Sequence, residues 1–139
     1  MTTTAPGVTV TELAPTIRVA LRLPAETAAG IGFPTGIGAR STFGARTALC
    51  LGPDEWLIEA PESERDVLLA DLAKLPSPHS AVEVSDREIT FALEGPAVLT
   101  LLATGAPRDL AAMPVGSGAR TIFDTVQVDH YWGALTPWP

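Results

Sequence analysis

Short stretches of strict apolar alternation, each cut off by glycine or proline, constrain this chain more than any other feature. Between Thr16 and Leu23, Ile17, Val19, Leu21 and Leu23 alternate with Arg18, Ala20 and Arg22, and Pro24 ends the run. A period of two over this length is the pattern of a half-buried strand. Thr47–Leu51 and Trp56–Ile58 flank Gly52-Pro53-Asp54, where Pro presets φ and Asp can bond back to the backbone, so 47–60 reads as a β-hairpin. Ala81–Val84 is a further strand, followed by a tight Ser85-Asp86-Arg87 turn. Glu88–Glu94 then alternates most cleanly of all. Ile89, Phe91 and Leu93 are expected in the core, and Glu88, Thr90, Ala92 and Glu94 in solvent. Arg120–Trp132 carries Ile122, Val126, Val128 and His130 in phase and reads as one long edge or return strand.

Helical spacing occurs between these strands. Glu26–Ala29 suits a short helix, and the rest of 25–46 reads as a Gly-rich loop. Ser63 stands three residues ahead of Asp66, like a capping box. Val67, Leu68, Leu69, Leu72 and Leu75 then form one apolar face, stopped by Pro76 and Pro78. Pro96–Thr104 predicts a helix that buries Val98, Leu101 and Leu102 and ends at Gly105, and Arg108–Ala112 predicts one more turn. The order strand, loop, hairpin, helix, hairpin, helix, strand favours an α+β fold. Its antiparallel sheet is built from hairpins, with helices packed on one face. A single domain is expected over 8–132, with a mobile tail at 1–7 and an irregular end at 133–139.

The chain has 139 residues and a formal charge of −7, which argues against a nucleic-acid or anionic-membrane partner. Charged residues are only 18%, so part of the surface is expected to be covered by another protein. No apolar run has the length of a membrane span. No charged segment leads an apolar stretch at the N-terminus, so the expected address is the cytoplasm. The single Cys50 excludes an internal disulfide, and with only His79 and His130 no ligand spacing for a metal exists.

Individual chemical candidates resolve into ordinary structure. Gly30–Gly38 (GIGFPTGIG) lacks the preceding strand and following helix of a dinucleotide loop. Ser85 and Asp86 suit a turn, and nothing brings a histidine to them as a triad requires. Cys50, between Leu49 and Leu51, reads as a small buried residue without a cationic neighbour. Asp54 and Glu55 are adjacent and would face opposite ways on a strand. No catalytic, cofactor-binding or metal-binding residue is therefore assigned. Trp56 suits either a core anchor or an interface.

Three segments together resemble one family. They are Ala48–Ile58 (ALCLGPDEWLI), Val82–Arg87 (VEVSDR) with its strand to Leu93, and Gly95-Pro96-Ala97 through Arg108-Asp109-Leu110, followed by Pro114–Gly116 and Ala119–Ile122. Over roughly 45–130 the chain resembles the gamma subunits of bacterial heterotetrameric sarcosine oxidases. It is similar, more distantly, to the folate-binding aminomethyltransferases. The resemblance implies a ferredoxin-like or aminomethyltransferase-like fold. It also implies a complex with large flavoprotein alpha and beta subunits and a small delta subunit. That complex demethylates sarcosine oxidatively to glycine, passing the one-carbon unit to tetrahydrofolate. FAD, FMN, NAD, tetrahydrofolate and zinc are implied on the other subunits and none on this chain. The family has no established catalytic residues on this subunit. Its usual final strand and amphipathic helix are not matched by Gly133–Pro139, which implies a shortened C-terminus and an uncovered surface beside Tyr131, Trp132 and Trp138. The isolated chain is then expected to self-associate. Trp56, Arg87, Arg108, Arg120 and Trp132 are the expected subunit-interface residues. Two other readings stand beside the accessory subunit. One is a stand-alone folate or one-carbon module using Asp109 or Glu83 as its acid; the other is a degenerate remnant.

Overall fold

The computed structural model describes residues 1–132; the expected irregular end at 133–139, including Trp138, lies outside the described residues. The architecture is α+β and entirely antiparallel in its strand pairing. The main sheet has five strands in the order β4 (Arg40–Phe43), β5 (Arg46–Gly52), β6 (Glu55–Pro61), β3 (Thr16–Arg22) and β7 (Ser80–Glu83). A second sheet pairs β1 (Thr2–Ala5), β2 (Val8–Glu12) and β8 (Phe91–Glu94), and β9 (Ser117–Phe123) and β10 (Val126–Trp132) form a separate hairpin.

The predicted hairpin over 47–60 is present as β5 and β6, joined through Pro53-Asp54 with a bulge between Cys50 and Gly52. One face of the main sheet carries Ile17, Val19, Leu21, Ala48, Cys50, Trp56, Ile58 and Ala60. Helix α1 (Ala25–Gly30) sets Ala28 on this face, and helix α2 (Arg65–Ala73) sets Leu68 and Leu72 on it. Trp56 is 1% exposed, and its indole N–H donates to the Pro34 carbonyl at 2.7 Å. Within this chain Trp56 is a core anchor. Phe33 stacks on Phe43 at 5.4 Å and covers the rim of the same core.

Several expectations are corrected. Residues 1–7 were expected as a tail without regular structure, yet Thr2–Ala5 pairs along β2 through a turn at Gly7, whose φ is +77°. Arg40–Phe43 was expected in a loop and is instead the edge strand β4, turned back at Gly44 with φ +57°. Ser63 makes no cap hydrogen bond, and the first turn at 62–64 is a 3₁₀ turn. Residues 81–94 do not form a hairpin, because β7 joins the main sheet beside β3 whereas β8 joins the second sheet beside β2. Arg120–Trp132 is not one strand. Asp124 takes φ +56° and closes a tight turn between Phe123 and Val126, a conformation Asp tolerates better than most side chains. In helix α3 (Val98–Ala103) only Val98 is buried, and Leu101 is 37% exposed.

The alternation of Glu88–Glu94 is inverted over its first half. Ile89 is 67% and Phe91 40% exposed, whereas Glu88 and Thr90 turn inward. Substitutions test this register. Leu21→Ala, in the core, should destabilise by about 3 kcal/mol. Phe91→Ala should cost about 1 kcal/mol. Urea denaturation of both variants measures the difference, and equal losses would place Phe91 in the core after all.

Candidate functional site

The second face of the main sheet is where the fold gathers its ionisable groups. Arg18 on β3 lies directly opposite Glu59 on β6, and both are almost wholly buried. Arg18 Nε approaches the Glu59 carboxylate at 3.4 Å. Its Nη1 donates to the Glu88 carbonyl at 2.8 Å, and its Nη2 donates to the Thr90 hydroxyl. The Glu88 carboxylate stands 3.9 Å from Nε. The backbone joins in: Arg18 N–H donates to Ser85 Oγ at 2.9 Å, and Val84 N–H donates to the Arg18 carbonyl at 2.8 Å. A buried ion pair stands only when its remaining donors and acceptors are satisfied, and here the segment 84–90 supplies that satisfaction.

The β9–β10 hairpin closes the cluster. The Tyr131 hydroxyl donates to Glu59, and the Arg40 guanidinium lies 4.5 Å over the Tyr131 ring. Arg120 reaches Asp129 across the hairpin at 2.9 Å and Glu55 on β6 at 2.9 Å. Glu55 also meets Arg22 at 3.3 Å. Close approach depends on glycine at Gly118, where a Cβ would lie 2.9 Å from Leu49 Cδ1 and 3.0 Å from the His130 carbonyl. On the hairpin's other side, His130 Nε2 contacts Met113 Sδ at 3.2 Å, and Gly105 lets the Phe123 ring lie against the end of α3.

Burial sets the electrostatics. The Tyr131 phenol is held well above its ordinary value, first by burial and then by the adjacent Glu59 carboxylate. Burial likewise raises Glu88, with the nearby Asp129 charge adding to it and Arg18 opposing it. His130 is lowered by burial and by Arg108. Burial raises the Cys50 thiol, which argues for a packing role.

The residues expected at an interface differ in burial and in bonding. Trp56 is in the core, and Arg120 is committed to Glu55 and Asp129. Arg87 and Arg108 are exposed, and Trp132 is half-buried at the end of β10. Glu83 is exposed and paired with Arg65. Asp109 is exposed and, with Arg108, lines a shallow cleft of about 250 Å³ beside Leu99, Ala103 and Leu110. A larger cleft of about 370 Å³ lies between Phe33, Phe43, Leu68 and Leu72, with Arg46 at its rim held by Asp71 and Glu64. Among the described residues, no three His, Cys, Asp or Glu side chains converge as a metal site would need. No helix among them is long and apolar enough to cross a membrane.

The sequence reading missed Arg18, Glu59 and Glu88 as a cluster, and it set Tyr131 beside an uncovered surface where the structure half-buries it against Glu59. One signal was available: Arg18 and Glu59 each stand between apolar residues inside a strongly apolar strand, as a buried pair across neighbouring strands would.

No protein-family model matches the chain. The sarcosine oxidase subunit gamma of Corynebacterium sp. (strain U-96) is 34% identical over 115 residues, covering 75% of this chain and 55% of that protein. This chain thus spans about half the length of that curated relative. A chain of the heterotetrameric sarcosine oxidase from Corynebacterium sp. U-96, solved in complex with pyrrole 2-carboxylate, superposes with a TM-score of 0.75 at 28% identity. The match covers 91% of this chain and 71% of that one. Fold and comparisons first define a class, an α+β chain built like one subunit of a heterotetrameric oxidase. Within that class the chain is a relative of the sarcosine oxidase gamma subunit, as its sequence motifs implied.

Two measurements probe the cluster. Glu59→Ala should destabilise by about 3–5 kcal/mol, since it strands the buried Arg18 charge. Tyr131 is the single tyrosine, so phenolate absorbance reports on it alone. Its folded ionisation lies above the ordinary value of 10.0. Its contribution to stability is therefore complete below pH 10 and is lost as the pH rises through the folded value. Tyr131→Phe should remove that part of the alkaline loss; a phenol that titrates alike in the folded and urea-unfolded chain would contradict the buried placement.

Proposed function

We propose that this chain is a non-catalytic accessory subunit of the gamma type in a heterotetrameric sarcosine oxidase, where it braces the large flavoprotein subunits. The likeness in fold to a chain of such a complex, over 91% of the residues here, carries this reading. The internal chemistry agrees with it. The ionisable side chains that the fold gathers are bonded to one another: Arg18 to Glu59 and Thr90, Tyr131 to Glu59, and Arg120 to Glu55 and Asp129. That arrangement rigidifies a scaffold and leaves these groups engaged. In this reading the alpha, beta and delta subunits are the partners, in the cytoplasm. FAD, FMN, NAD, tetrahydrofolate and zinc belong to those partners. The whole complex oxidatively demethylates sarcosine to glycine with transfer of the one-carbon unit to tetrahydrofolate.

Co-expression with the alpha, beta and delta subunits of the same organism's sarcosine oxidase is the direct test. All four chains should co-purify at equal stoichiometry, and omitting this chain should lower the melting temperature of the remainder. Recovery of a fully stable three-subunit enzyme that ignores this chain would refute the proposal. Calorimetric titration of the isolated chain with a reduced folate should give no saturable heat; a stoichiometric isotherm would favour the stand-alone one-carbon module instead.

A further inference from the structure

The loop 106–115 is tied to the β9–β10 hairpin at both ends and in between. At one end the Asp124 N–H donates to the Gly105 carbonyl at 3.0 Å, and at the other the Gly116 N–H donates to the Trp132 carbonyl at 2.6 Å. Between these backbone anchors the tie is a side-chain contact, Met113 Sδ with His130 Nε2 at 3.2 Å. A thioether can only accept, so His130 carries its proton on Nε2 and donates it to sulfur. Burial and the Arg108 charge hold His130 below its ordinary value, which keeps the ring neutral. Met113 is half-buried, within reach of a small oxidant. Cys50, the other internal sulfur, is wholly buried with its thiol pushed up, and so is poorly reactive.

We propose that Met113 is an oxidation site at which hydrogen peroxide loosens the loop 106–115 from the hairpin. The thioether sulfur attacks one peroxide oxygen and the O–O bond breaks. Sulfur keeps that oxygen as a sulfoxide and loses two electrons. The second oxygen takes those electrons and the proton of the first, and leaves as water. The product no longer fits the contact. Sδ and Nε2 stand 3.2 Å apart, and an N–H···O bond alone takes about 2.9 Å, so an oxygen on sulfur has no room between them. The sulfoxide, polar where the thioether was apolar, turns out to water or pushes His130 aside, and the tie is lost either way. The backbone anchors at Gly105 and Gly116 remain, so the change stays local to the loop. Methionine sulfoxide reductases remove the oxygen again, which makes the state reversible.

Hydrogen peroxide added to the full chain, followed by peptide mass spectrometry and hydrogen exchange on the same samples, tests the site. In the folded chain Met113 should gain one oxygen and Cys50 none. The Ala112 and Met113 amides, bonded to the Asp109 and Leu110 carbonyls, should then exchange about two- to tenfold faster, as the loss of one net hydrogen bond implies. The His130 ring resonances should move while those of His79 stay, and a methionine sulfoxide reductase should restore both readings. Met113→Leu, close in volume, should show neither response to peroxide. A Met113 that is oxidised in urea yet spared in the folded chain would overturn the site. So would a sulfoxide that leaves the Ala112 and Met113 exchange unchanged, or a Met113→Leu chain that loosens like the wild type. If Met113→Leu does not fold, the wild-type mass and exchange readings decide by themselves.

Discussion

The guanidinium of Arg18 sits in the main sheet with almost no access to water, so its donors must be met by protein atoms. Glu59, directly across on β6, supplies the countercharge. The remaining acceptors arrive from a distant part of the sequence, the carbonyl of Glu88 and the hydroxyl of Thr90. That requirement fixes the path of the chain after β7. It carries the backbone over the second face of the sheet and only then into β8 of the smaller sheet. The same ion pair sets the place of the last hairpin, since Tyr131 bonds the other oxygen of Glu59.

The two faces of the main sheet are held by different physics. The face under α1 and α2 is a conventional apolar core, closed by Leu68 and Leu72 against Ile17, Val19 and Trp56. The opposite face has a small apolar centre at Leu49, Leu57 and Val84, ringed by ion pairs. Hydrophobic burial is non-directional, whereas charged hydrogen bonds demand particular partners at particular distances. The polar face thus specifies which segments lie where, and the apolar face supplies most of the cohesion.

Much of the fold was legible in the residues. The hairpin at 47–60 was readable because Gly52-Pro53-Asp54 is strong turn chemistry between apolar runs, and α2 because Leu68 and Leu72 keep helical spacing. Strand β4 was not, since Arg40-Ser41-Thr42-Phe43 has no apolar period and gains its place by pairing with β5. The β9–β10 turn was missed because Asp124-Thr125 lacks the glycine that usually marks a tight hairpin. The motifs at Ala48–Ile58 and Val82–Arg87 pointed to the gamma subunits, and the likeness in sequence and fold agrees.

What the sequence determined by itself was local: strand and helix periods, the hairpin turn, the absence of disulfides, and the family likeness. Only the tertiary structure decided which side of Glu88–Glu94 faces inward. Alternation states that two sides differ, and hydrophobicity alone assigns Ile89 and Phe91 to the interior. A buried arginine on another strand reverses that assignment across 88–91, because leaving its donors unbonded would cost more than exposing two apolar side chains. Sequence separation hides this competition: Thr90 lies 72 residues from Arg18, and no local pattern records that they meet.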